Sequence, residues 1–356
     1  MSEYTVSQMV IPRGVGAEGW GDFVDVCDLR NEIEESFVGT RELAVSPEEM
    51  LPHWLDPKTI TEAWLARIDG RLVGRGMFIH HPEDSIASVL VQVRPESRRR
   101  GIGATLYEIV REHAEAAGKD VFQTSFYSLP DEPGPRIFPP AEAGSVAADA
   151  PGSRFAVQRG FVVQLILRYS RLDLPIETEV FERHLREAEA AAGVDYRVVR
   201  WEGHTPERWQ DAMALLRSKM ETDAPHGDIE TGDAPWDAQR IRDMDDLDER
   251  SGRLMLVAAV EHVPTGDLVA YTELGLPREG DRPVTQRDTI VLAAHRGHRL
   301  GMLLKADNIL TLEASRPGHP SITTINAEGN EFMLAVNEAV GFVPIAQSSI
   351  WKRVVG

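Results

Sequence analysis

Residues 91–107 read VQVRPESRRRGIGATLY. The apolar run that ends in these valines, SIASVLVQV, predicts a strand stopped at Pro95. Beyond Gly103, the positions Leu106, Ile109, Val110 and Ala114 recur at helical spacing, and Gly118 closes that run. The turn between strand and helix is Arg-x-x-Gly-x-Gly. Such a turn leaves several backbone N–H groups open at a helix N-terminus, where the helix dipole also favours an anion. Gly101 and Gly103 remove side chains that would hold a pyrophosphate away from those amides. Arg98, Arg99 and Arg100 add charge at the rim. Taken alone, SRRRGIG, residues 97–103, also reads as a solvated basic loop capping a helix.

Working outward, the same order of elements occurs twice. Upstream, AWLARIDGRLVGRGMFIHH reads as strand, tight turn at Asp69-Gly70, strand. In the second half, LMLVAAVEHVPTGDLVAYTELGLP repeats that hairpin with its turn at Thr265-Gly266, and RDTIVLAA is the matching third strand. HRGHRLG, residues 295–301, then precedes the helix MLLKADNILTLEASRPG. Each half closes with Gly-Phe and a last strand, at Gly160-Phe161 and Gly341-Phe342. From hairpin glycine to motif arginine is 28 residues in the first half (Gly70 to Arg98) and 30 in the second (Gly266 to Arg296). From that arginine to the Gly-Phe glycine is 62 residues and 45 residues respectively, an excess of 17 in the first half. The excess falls on the Pro-, Gly- and Ala-rich residues 130–153, read as a loop insertion, either disordered or a lid.

Composition agrees with two domains: 356 residues, 42% hydrophobic and 27% charged. The expected division is 1–171, a connecting segment 172–195, and 196–356. A net charge of −19 argues against nucleic acid and is compatible with a cationic small substrate. The single cysteine, Cys27, excludes a disulfide framework and lies among apolar residues, as a packing cysteine does. With no signal-peptide pattern and no membrane-length apolar run, a cytoplasmic location away from membranes is expected. The expected fold class is α/β (α+β), each domain a mixed, mostly antiparallel sheet flanked by helices.

The order hairpin, strand, V-x-V-R-P-x-x-R-R-R-G-I-G-x-x-L, helix, strand, Gly-Phe resembles the GNAT superfamily of acetyl-CoA-dependent N-acetyltransferases, here in tandem. The resemblance implies acetyl-CoA as cofactor and an amine of a small molecule or peptide as acceptor, attacking the thioester directly. The cofactor residues it implies are Val91, Gln92, Val93, Arg98, Arg99, Arg100, Gly101, Ile102, Gly103 and Ala104 in the first copy. In the second they are Ile290, Val291, Leu292, Arg296, Gly297, His298, Arg299, Leu300, Gly301 and Asn330. The second copy departs from the motif, because Arg299 stands where the first glycine is expected. NAEGNEFMLAVNEAVGF, residues 326–342, fits the family's later segment, with Asn330 at the position of a cofactor-contacting asparagine. The family's thiol-protonating tyrosine is absent: its position holds Asn337 in the second copy and Ala156 in the first.

An amine acceptor needs a general base. The second copy offers Glu273 and Asp288 beside apolar strands, and Asn337 as a hydrogen-bonding group near the leaving thiol. Trp201, Trp209 and Trp236 are core residues or pocket walls. The missing tyrosines also motivate a different reading, an acyl-CoA-binding sensor or structural protein with one or both domains inactive.

Overall fold

The structure, a computed structural model, describes residues 4–223, 227–230 and 235–355. The chain forms two compact units. The first comprises Met1–Leu167, Gly227–Asp233 and Ala346–Gly356, and the second Arg168–His226 and Ala234–Ile345. Both are mixed α/β units on a mostly antiparallel sheet, as the repeated pattern predicts.

The first unit begins with β1 (Thr5–Gln8), α1 (Trp20–Val38) and α2 (Pro47–Trp54). There follow β2 (Ile60–Ile68), β3 (Arg71–His80), β4 (Ile86–Val93), α3 (Ile102–Ala116) and β5 (Val121–Ser128). Then come β6 (Arg136–Ile137), β7 (Val146–Ala147), α4 (Pro151–Val157) and the start of β8 (Val162–Asp173). Strands β1 to β4 pair antiparallel in sequence order, and β4 pairs β5 in parallel. Strand alternation sends Trp64 and Ala66 to the α3 face, and Ala63 and Leu65 to the face covered by α1 and α2. Gly76 is glycine for packing: a Cβ there would lie 3.0 Å from Val110 and 3.1 Å from Leu106 of α3. Helix α2 is fixed at its start by a reciprocal Ser46–Glu49 capping box with Pro47 in the first turn.

The 130–153 insertion is ordered. β6 and β7 pair, the Arg136 guanidinium donates to Ser145 O at 2.6 Å, and Val146 and Ala147 are buried.

The second unit holds the end of β8, α5 (Thr178–Ala192), β9 (Tyr196–Glu202), α6 (Gln210–Asp223) and α7 (Ala238–Arg250). It continues with β10 (Leu254–His262), β11 (Asp267–Leu276), β12 (Val284–Val291), α8 (Leu300–Ser315), β13 (Ser321–Ala327) and α9 (Glu331–Ala339). Strands β9 to β12 are antiparallel neighbours, β12 pairs β13 in parallel, and β8 lies beside β13. α5 and α8 contribute to one core, and α6 and α7 to another that includes Tyr271 and Ile290.

The last strand, β14 (Val343–Val354), has residues 346–354 in the first unit, where they pair antiparallel with β5 from Gln347↔Ser128 to Val354↔Val121. Its Trp351 is buried in the α3-side core. Among the described residues no helix is long and apolar enough to cross a membrane.

In both units the parallel pair parts early. β4 and β5 pair over Ile86↔Val121, Ala87↔Phe122 and Ser88↔Gln123 only. β12 and β13 pair over Val284↔Ile322, Thr285↔Thr323 and Gln286↔Thr324 only. Beyond these, β4 and β12 each run on with one edge unpaired, directly into the arginine loop.

Trp351→Ala is expected to cost about 3–5 kcal/mol of unfolding free energy, the range for truncating a buried aromatic. Denaturant melts of both proteins measure it, and a loss below about 1 kcal/mol would show that the last strand does not complete the first unit's core.

Candidate active site

The two arginine loops share one backbone path. Arg98 and Arg296 are extended, with ψ of 165° and 162°. The next residues, Arg99 and Gly297, are left-handed, with φ of 62° and 88°. Gly101 and Arg299 are left-handed again, with φ of 86° and 55°, and cap helices that begin at Ile102 and Leu300. Arg299 thus occupies the backbone position of Gly101, in a conformation that costs a non-glycine residue roughly 1–2 kcal/mol.

The first motif arginine does the same work in both loops. Arg98 Nε donates to Val93 O at 3.0 Å, and Arg296 Nε donates to Val291 O at 3.1 Å. Each arginine fastens its loop to the end of the preceding strand. Burial lowers the Arg98 pKa, and its guanidinium also lies over the Phe37 ring. Arg99 and Arg100 are exposed at the rim. Arg299 Nη1 donates to Glu187 Oε2 of α5 at 3.2 Å, and His298 packs against Tyr196.

The first helical hydrogen bonds are Thr105 N–H to Gly101 O and Leu303 N–H to Arg299 O, both 3.0 Å. The amides of residues 102–104 and 300–302 precede them and need outside acceptors. Both openings have room: a Cβ on Gly301 would meet nothing within 4 Å, and one on Gly103 only ordinary contacts with Val93, Phe155 and Val91. These residues fit an extended phosphate-bearing group.

The unpaired strand edges have a definite polarity. Arg94 N–H donates to Val73 O at 2.9 Å. By the alternation of an antiparallel ladder, the peptide groups of Gln92 then face β3, and those of Val91 and Val93 face the fork. Leu292 N–H donates to Val269 O at 2.9 Å, so Ile290 faces β11 and Val291 faces the fork.

In the second unit the register slips at the fork. Thr272 pairs Thr289 and Leu274 pairs Gln286, so Arg287 and Asp288 together oppose Glu273. No such slip occurs between β3 and β4. The slip brings Glu273 and Asp288 to one guanidinium. Arg217 Nη2 of α6 donates to both Glu273 oxygens, at 2.6 and 2.8 Å, and Nη1 donates to Asp288 Oδ2 at 3.1 Å. Tyr271 OH also donates to Asp288 Oδ2, at 3.3 Å. Burial would lower the Arg217 pKa, but Glu273, Tyr271 and Asp288 outweigh it and the shift is upward. Burial raises the Glu273 carboxyl above its ordinary range, against the pull of Arg217. Glu273 is buried, whereas the Asp288 side chain is 38% exposed. The neighbouring Arg287 is neutralised separately by Asp248, at 2.7 and 2.5 Å. Trp236 packs against Arg217 and Arg240, and Trp201 and Trp209 lie against the same core.

Asn337 is buried in a polar chain. Its Oδ1 accepts from Lys305 Nζ at 2.7 Å, and its Nδ2 donates to Asn326 Oδ1 at 2.7 Å. Sequence reading passed over Lys305, which sits in the apolar run of α8 and is buried with no charged partner among the described residues. Burial lowers its ammonium to about 7. Asn330 is the N-cap of α9, its Oδ1 accepting from Met333 N–H at 3.2 Å. Cys27 is buried, and burial pushes its thiol up to about 11, as a packing cysteine requires. Among the described residues no group of histidine, cysteine and carboxylate side chains could hold a metal ion.

A parallel strand pair that forks, its first strand running through an arginine loop into a helix, built twice, is the fold of a tandem GNAT protein. Residues 26–127, from within α1 to near the end of β5, match the acetyltransferase (GNAT) family. The chain is similar in structure to a tandem GNAT protein from the clavulanic acid biosynthesis pathway, solved without acetyl-CoA. The two are 24% identical with a TM-score of 0.74 over 99% of both chains. It is also similar to a GCN5-related N-acetyltransferase from Sphaerobacter thermophilus, at 13% identity and TM-score 0.63, over 99% of this chain and 95% of that one. A putative acetyltransferase from Pyrococcus horikoshii aligns at 14% identity and TM-score 0.53, over 99% and 90%. No curated protein matches the sequence.

Lys305 makes a pH-dependent prediction. The folded state releases its proton near pH 7, while the unfolded chain keeps it to about 10.5. Between those values the unfolded state binds more protons, so this group makes stability rise with pH and leaves its full penalty below about 7. Lys305→Met is expected to gain on the order of 2 kcal/mol at pH 6–7, and to flatten the rise from pH 7 to 10. Thermal melts across that range test it; parallel profiles for parent and variant would contradict the buried ammonium.

Proposed function

We propose that the chain transfers an acetyl group from acetyl-CoA to an amine of a small molecule or peptide, and that the second unit carries the chemistry. The observation that carries this reading is the fork: an unpaired strand edge ends at an open helix N-terminus, with the same backbone path in both units. Acetyl-CoA bound there supplies the activated acyl group. The peptide groups of Val91 and the N–H groups of Val93 and Val291 are presented to the arm of such a molecule, the carbonyls of Val93 and Val291 being taken by Arg98 and Arg296. The amides of residues 102–104 and 300–302, with Arg99 and Arg100 at the rim of the first loop, suit its phosphates.

The acid pair supports catalysis in the second unit. Asp288 is the more accessible carboxylate, beside the fork, and in this reading it takes the proton from the acceptor's ammonium, so that the free amine attacks the thioester. Glu273, bound through both oxygens to Arg217, acts as the anchor that places the guanidinium and through it Asp288. The amide of Val291, facing the fork, is available to stabilise an oxyanion. Both polar ends of Asn337 are occupied, which leaves the departing thiolate to be protonated by solvent, feasible for a thiol of ordinary pKa near 8.5.

A second reading applies to the first unit alone. Strand register, counted back from Val93 and Val291, sets Met77 opposite Leu90 where the second unit has Glu273 and Asp288. With no carboxylate at either position, the first unit suits binding of an acyl-CoA without turnover.

Calorimetric titration of acetyl-CoA into the parent, Gly103→Glu and Gly301→Glu separates the two cradles. Each glutamate is expected to abolish one site, and no binding to the parent would end the acetyltransferase reading. Asp288→Asn is expected to lower kcat at least 100-fold in a thiol-release assay on the parent's best amine, with acetyl-CoA affinity kept. Full activity in that variant would remove Asp288 as the base.

A further inference from the structure

The fork of the first unit opens into a cavity of about 380 Å³ on the α1 and α2 side of the sheet. Its apolar wall includes Met50 and Trp54 of α2, Met77 and Ile79 of β3, and Leu90 of β4. Among the described residues two guanidiniums also line it, Arg30 of α1 and Arg75 of β3, and no carboxylate does.

Arg75 is only 3% exposed. Its Nε donates to Gln92 Oε1 at 2.8 Å, whereas its Nη1 is buried and has no hydrogen-bond acceptor among the described residues. Glu34, the nearby acid, is paired one helical turn away with Arg30 Nη2 at 2.8 Å. Among the described residues that act on Arg75, a second guanidinium, Arg30, stands against one carboxylate, Glu34. Their titration reflects the imbalance. Burial, and then Arg30, lower the Arg75 pKa to about 10, and burial raises Glu34 to about 7. A buried cation with an open N–H is among the costliest groups a protein keeps, unless a ligand completes it. A carboxylate brings both the missing charge and the missing acceptor, and it matches the planar fork of a guanidinium.

We propose that this cavity is a carboxylate-binding pocket, taking a small ligand whose carboxylate meets Arg75 and whose apolar body lies against Trp54, Met77, Ile79 and Leu90. The same wall rejects a protonated amine, which would meet like charge and find no carboxylate. The second unit is built the opposite way at the corresponding register, where Glu273 and Asp288 stand in place of Met77 and Leu90. The two forks thus select ligands of opposite charge. This assignment rests on the cavity and its arginines, not on acetyl transfer.

The test is calorimetry on the intact protein with hexanoate and 3-phenylpropionate, their primary amides, and hexylamine. At least one acid is expected to bind, its amide at least tenfold more weakly, and the amine not at all. Arg75→Met is expected to weaken acid binding at least tenfold with no loss of melting temperature. Ile79→Trp, which fills the cavity and leaves Arg75 in place, is expected to abolish it. Acetyl-CoA titrated into the parent tests the cofactor reading separately, so failure of that titration alone leaves the carboxylate pocket standing, and failure of acid binding alone leaves the cofactor reading standing. Absence of acid binding to the parent, tighter binding of the amine, or unchanged acid affinity in Ile79→Trp would overturn the proposal.

Discussion

Two parallel strands that stay hydrogen-bonded for three residue pairs and then part are the constraint on which the rest depends. Backbone N–H and C=O groups left without partners inside a fold are costly, so a sheet opens only where something else meets them. Here β4 and β12 keep their antiparallel neighbours to the end while their other edges come free. Arg98 and Arg296 each turn back and cap the last free carbonyl of that edge. The loop is thereby fixed at its start, and the two left-handed residues that follow aim the helix away from the strand. One arginine hydrogen bond and two positive φ values set where the open amides point in both units.

The fork also decides where charge can sit. In the second unit, the extra residue in β12 brings Asp288 beside Glu273, and two carboxylates so close need a cation between them. Arg217 supplies it from α6, and the cluster retains one net negative charge. In the first unit the corresponding pair is Met77 and Leu90, and the charge comes from Arg30 and Arg75. The same backbone device therefore carries opposite electrostatics, a difference made by a few side chains and a one-residue slip.

Much of this was legible in the chain. The alternation of apolar residues, the hairpin turns and the two arginine loops predicted repeated α/β units and placed the loops between strand and helix. Arg299 was recognisable as the counterpart of Gly101, and its left-handed backbone confirms that alignment. The arginines were legible as charge but not as braces, because a bond from Arg98 to Val93 depends on the loop folding back. The insertion at residues 130–153, open to reading as disorder or a lid, is a short hairpin held by Arg136 and by burial of Val146. Composition alone cannot show that, since proline and glycine mark turns and loops alike.

The sequence by itself determined the local structure: which segments are strands, where the helices start, and which glycines and arginines occupy the turns. Those follow from side-chain period and backbone preference, which act over a few residues. Only the tertiary structure decided that the final strand pairs with β5 and buries Trp351 in the first unit, since pairing partners are chosen by contacts far apart in sequence. It also decided that Lys305 and Arg75, unremarkable in the sequence, are buried charges without an acidic partner of their own, because burial is a property of the assembled core.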